Sequence, residues 1–225
     1  ILSLFGGLGV IILSALLFLI TIPIVSFFQN LSKIYGLING FILTIAIKSF
    51  FLLSKLIVLV ENPINALIIG GDSQGYILAA FKTNIAELVL EYGTDLGFVF
   101  FLKAIAIIFD ISSSDIPVVF VLPNIFATSL IIIFSISLAR KLMPYIKSNY
   151  IFWIGNLDFL MINFSTVVLK DALVSTFTSV SIVIFITKRR AIIQTLLWGL
   201  SLIGSFVLRF RSAAIIAGML IIRIL

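Results

Sequence analysis

Residues 1–28 carry no charged side chain, and apolar runs of similar length recur to the end of the chain. An α-helix rises about 1.5 Å per residue, so roughly 20 apolar residues cross the roughly 30 Å hydrocarbon core of a bilayer. In lipid the backbone must satisfy its own hydrogen bonds, which leaves helices as the natural state of such runs. After 1–28 come 37–60, 97–109, 117–138, 150–169, 172–187, 191–208 and 212–225. The expected fold is therefore all-α: a polytopic transmembrane helical bundle of about 7–8 hydrophobic segments, forming a single domain over residues 1–225. The composition agrees. Hydrophobic residues make up 62% of the 225 and charged residues 11%, against about half and about a quarter in soluble domains. The chain starts at Ile1 and stops at Leu225 inside an apolar run, and so reads as a piece of a longer protein.

Cysteine and histidine are both absent. That excludes disulfides, thiolate or imidazole zinc sites, His-ligated haem, and Ser-His or Cys-His catalysis. A metal would have to sit on carboxylates and carbonyls, as Mg²⁺ or Mn²⁺ does. The net charge of +6 is no nucleic-acid signature, because the basic residues stand at the ends of apolar runs, where they orient helices against headgroups.

Charge is gathered in a few breaks. Residues 61–95 form an external loop holding five of the nine acidic residues: Glu61, Asp72, Glu87, Glu91 and Asp95. Within it an amphipathic helix is expected, with Ile77, Phe81, Ile85 and Leu88 on one face and Thr83, Glu87 and Glu91 on the other. Residues 97–109 are too few to cross a bilayer, and are expected to lie at the interface or re-enter. That choice lets Arg140/Lys141/Lys147 and Lys188-Arg189-Arg190 share the inner side, with Lys33 beside them. The acidic loop, Lys170-Asp171 and Arg209-Phe210-Arg211 then lie outside.

Three of these clusters could carry chemistry, and each has a plainer reading. Asp72, in Gly70-Gly71-Asp72-Ser73-Gln74-Gly75-Tyr76, is either the N-cap of the amphipathic helix or a general base or metal ligand at the membrane surface. Lys170 and Asp171 are either a solvated turn or a phosphate-facing lysine beside its positioning carboxylate. Arg209 and Arg211 either anchor a helix end in the headgroups or hold phosphate oxygens. Lys55 and Lys103 read as snorkelling cations, whereas Lys48, mid-run, should face the protein interior or a wet cavity. Asn156 and Asp158 read like Lys48.

The order of these features resembles the multi-spanning glycosyltransferases of the GT-C type and related bacterial polysaccharide polymerases. Asp72 with Tyr76 stands in the large external loop, and Asn124 precedes a basic helix end at Arg140-Lys141. The small polar patch from Ser165 leads to Lys170-Asp171, followed by Lys188-Arg189-Arg190 and Leu208-Arg209. The resemblance implies a polyprenyl-phosphate-linked sugar donor, a glycan or lipid acceptor, and a bacterial inner membrane location. It makes Asp72 and Asp171 the candidate catalytic acids. Tyr76, Lys170, Arg209 and Arg211 become substrate contacts, and Mg²⁺ or Mn²⁺ a candidate cofactor. Two rivals remain: a transporter or flippase with Lys48, Asp158, Lys170 and Asp171 along a midplane pathway, and a structural subunit whose charges only anchor helices.

Overall fold

The computed structural model describes residues 37–58, 67–68, 70–112, 118–187 and 192–224. The first apolar run with Lys33, Glu61 and the Lys188-Arg189-Arg190 cluster lie outside these residues. The elements in chain order are α1 (Leu37–Val58), α2 (Gly70–Phe81), α3 (Ile85–Tyr92), α4 (Leu96–Ile108), α5 (Leu122–Leu142), α6 (Ser148–Leu157), α7 (Phe159–Ser165), α8 (Lys170–Thr187), α9 (Ile192–Leu208) and α10 (Phe210–Ile224). No strand occurs among the described residues.

Helix α5 is the axis of the bundle. It is apolar on all sides, and its residues from Leu122 to Leu130 are all buried, as a helix without a polar stripe must be. Its buried hydroxyls bond back into the helix: Thr128 Oγ1 donates to Asn124 O at 2.7 Å and Ser129 Oγ to Ile125 O at 2.6 Å. Helix α8 runs parallel to α5. Thr176 Oγ1 donates to Ala127 O at 2.9 Å near the start of both, and Lys141 Nζ to Ile186 O at 2.7 Å near their ends. Arg140 bonds Ser148 at that same basic end. Helix α9 returns against α8, where Gly204 admits the Phe177 ring; a Cβ at Gly204 would stand 2.5 Å from it. Gly97 of α4 meets α9 more closely still, since a Cβ there would fall 1.9 Å from Val207 O.

Among the described residues two helices are long and apolar enough to cross a membrane, residues 38–58 and 118–142. Helices α7 and α8 make a third if counted as one broken span, bent by 110°. The run 150–169 is not one helix: Asp158 ends α6 and caps α7, its carboxylate accepting from Leu160 N at 3.4 Å and Met161 N at 3.3 Å. The expected amphipathic helix is likewise two. Asn84 accepts from Ala86 N at 3.1 Å and starts α3, so α2 stops at Phe81. A polar side chain offering a cap competes with helix continuation in both places. Helix α4 is short, as the sequence suggests, at 13 residues.

Between α7 and α8 the chain runs through buried, non-helical residues from Thr166 to Leu169. Such backbone is tolerated inside a membrane protein only where the protein satisfies it. Asn124 Nδ2 donates to Val167 O at 2.6 Å and to Leu169 O at 2.8 Å, and Val168 N donates to Leu67 O at 3.0 Å. This places Lys170 and Asp171 at the end opposite Arg140 and Lys141.

Candidate functional site

At that second end, α2, α3 and the start of α4 surround a cavity of about 280 Å³. Its lining is Gly71, Asp72, Gly75, Tyr76, Glu91, Tyr92 and Asp95. Helix α2 brings Asp72 and Tyr76, one turn apart, to the same side. Asp72 is exposed and stands inside the first turn, where a negative charge favours the helix dipole, rather than at the N-cap. Tyr76 is 3% exposed and packs edge-on to Phe98, with ring centroids 5.1 Å apart. Gly75 lets the Tyr92 hydroxyl reach its carbonyl at 2.9 Å. Glu91, opposite, is paired with Lys82 at 2.5 Å.

The centre of the site is Asp95. Tyr76 donates its hydroxyl to Asp95 Oδ2 at 2.7 Å, and Lys170 forms an ion pair with the same oxygen. The Lys170 ammonium also lies over the Tyr76 ring, 5.6 Å from its centroid. Burial works to raise the Asp95 carboxyl, but the bonds from Lys170 and Tyr76 outweigh it and hold Asp95 below the usual carboxylate range. Burial pushes the Tyr76 phenol far up, and the bond to Asp95 and the fields of Asp95, Asp72 and Asp171 add to this. Tyr76 is therefore a neutral donor at any physiological pH.

Lys170 and Asp171, adjacent in sequence, act apart. Successive residues on a helix point about 100° from one another. Lys170 turns to Asp95, whereas Asp171 accepts from Arg209 Nη1 at 2.9 Å. Arg209 and Asp171 are both about half exposed, so the remaining guanidinium donors reach solvent. Five of the six site residues singled out in the sequence thus stand at one end of the molecule: Asp72, Tyr76, Lys170, Asp171 and Arg209. Arg211 belongs to α10, and its side chain lies outside what is described. The residues that sequence reasoning passed over are Asp95 and Tyr92. Asp95 was visible only as one acid among five, because its partners lie 19 and 75 positions away.

Among the described residues no three acidic side chains are placed to hold a metal ion. Asp95 Oδ2 is already taken by Lys170 and Tyr76. The cations at hand are Lys170 and Arg209. No protein-family model, no curated protein and no solved structure matches this chain.

Proposed function

We propose that the chain is part of a membrane glycosyltransferase or polysaccharide polymerase that uses a polyprenyl-phosphate-linked sugar at the outer face of the bacterial inner membrane. The supporting observation is the polar cleft at one end of an apolar bundle, where Asp72 faces the cavity and Arg209 stands nearby on Asp171. The opposite end carries Arg140 and Lys141, as a cytoplasmic end should. In this reading the remaining apolar runs complete a bundle of about 7–8 segments.

Asp72 serves as general base for the acceptor hydroxyl of a glycan or lipid. The acceptor oxygen bonds to the anomeric carbon as the bond from that carbon to the phosphate oxygen breaks. The leaving phosphate meets Arg209 and Lys170, with Asp171 fixing the guanidinium. Asp95 and Tyr76, which line the cleft, hold the Lys170 ammonium behind them. A midplane transport pathway is less well supported, because Asp158 is exposed and caps α7 while Lys170 and Asp171 pair at the polar end.

The test is transfer of labelled sugar from polyprenyl-phosphate donors by the full-length protein in vesicles. Replacing Asp72 by Asn should lower the rate about 100-fold or more with folding unchanged. Undiminished transfer by Asp72→Asn, or no transfer by the wild type from any such donor, would sink the assignment.

A further inference from the structure

Helices α6 and α7 run along the flank of α5, from its basic end, where Arg140 bonds Ser148, to the end where Asn124 holds Val167 and Leu169. Between these ends Gly155 lies against Ile132, the middle residue of the 21 in α5, and a Cβ on Gly155 would stand 3.0 Å from it. Asp158 follows within one helical turn, near mid-depth of a helix long enough to cross the membrane. Its carboxylate is on the outside of the bundle. Asp158 is exposed, and so are Ile154, Leu157, Phe159 and Leu160 on either side of it in sequence.

Capping α7 does not account for this charge, because asparagine or serine caps a helix about as well as aspartate. The first amides of α7 offset part of it, but the end of α6 adds to it again. Past Ile154 O, which takes the Asp158 amide at 2.9 Å, the closing carbonyls of α6 meet no further amide of their own helix. They form the negative end of its dipole, at the same depth as the carboxylate. The ion pairs among the described residues use Lys82, Lys170 and Arg209, and none includes Asp158. Lys48, on α1, is 0% exposed.

We infer that the outer face of α6 and α7 docks a transmembrane helix of a partner protein that carries a lysine or arginine near its centre. An ionisable group turned toward hydrocarbon is costly unless it is paired. The centre of a roughly 30 Å core lies about 15 Å from either headgroup layer, so the amines of lipid headgroups do not reach it. Residues 1–28 carry no charged side chain with which to answer it. A second copy, related by a two-fold axis, would bring two carboxylates and two negative helix ends together. A basic side chain on a partner helix meets both the carboxylate and the helix end. Ile154, Leu157, Phe159 and Leu160 then pack against the apolar residues that flank it. This surface does not depend on the transferase reading.

The experiment measures energy transfer in phosphatidylcholine vesicles between the full chain, labelled at Lys147→Cys, and labelled transmembrane peptides of leucine and alanine. The peptides differ only in the central residue, which is lysine, leucine or glutamate. The lysine peptide should associate about tenfold or more tightly than the leucine peptide, and the glutamate peptide no better than leucine. Asp158→Asn keeps the cap and should melt as the unsubstituted chain does, yet take the lysine and leucine peptides alike. Should Asp158→Asn fail to fold, Asp158→Ser takes its place with the same expectation. Equal association of the lysine and leucine peptides, or a lysine preference retained in these variants, would overturn the docking face. So would self-association of the chain that Asp158→Asn abolishes, which would make the occupant a second copy.

Discussion

Replacing Asp95 by Asn leaves Lys170, 8% exposed, without its carboxylate and weakens the bond from Tyr76. Losing a charged hydrogen bond of this kind costs about 2 kcal/mol. The pH dependence carries the sign of a depressed carboxyl. Its contribution is whole above the unfolded value of about 4, and is lost as pH falls through the lower folded value. Wild-type melting temperature should therefore fall below about pH 4, and the fall should be smaller in Asp95→Asn. A melt series across that range checks both statements. Asp72 and Tyr76 were legible because Gly70–Tyr76 is a polar string at the head of an apolar helix. Asp95 was not, because nothing in a linear sequence records that a residue 75 positions away supplies its cation.

At the scale of elements, the buried stretch before α8 depends on one side chain. Asn124→Leu would bury the Val167 and Leu169 carbonyls without their donor, at about 1–3 kcal/mol for each group left unpaired. Chemical or thermal unfolding should show a loss of that size, and trypsin should cut faster after Lys170 as the stretch loosens. Asn124→Asp, which keeps the shape but exchanges donors for acceptors, should do no better. Apolar runs were legible as helices wherever no polar side chain interrupts them, as in α5 and α9. The breaks at Asp158 and Asn84 were not. Each residue is an ordinary polar interruption in the sequence, and only its bond to the following amides makes it a helix start. The short α4 was legible from length alone, because 13 residues reach only about 20 Å.

At the scale of the whole molecule, the parallel run of α5 and α8 sorts charge to two ends. Asp95, Lys170, Asp171 and Arg209 gather at one, Arg140 and Lys141 at the other. The chain has no cysteine, so single cysteines can be placed freely. Cysteines at the exposed positions Thr94 and Lys147 should be labelled by an impermeant thiol reagent from opposite sides of sealed vesicles. Labelling of both from one side would refute the two-ended arrangement. The stretch from Thr166 to Leu169 joins these features, for Thr166 is bonded by Lys55 and the next helix begins at Lys170. These four buried, bonded residues therefore fix how far the start of α8 can stand from α1, which Lys55 ties to Thr166.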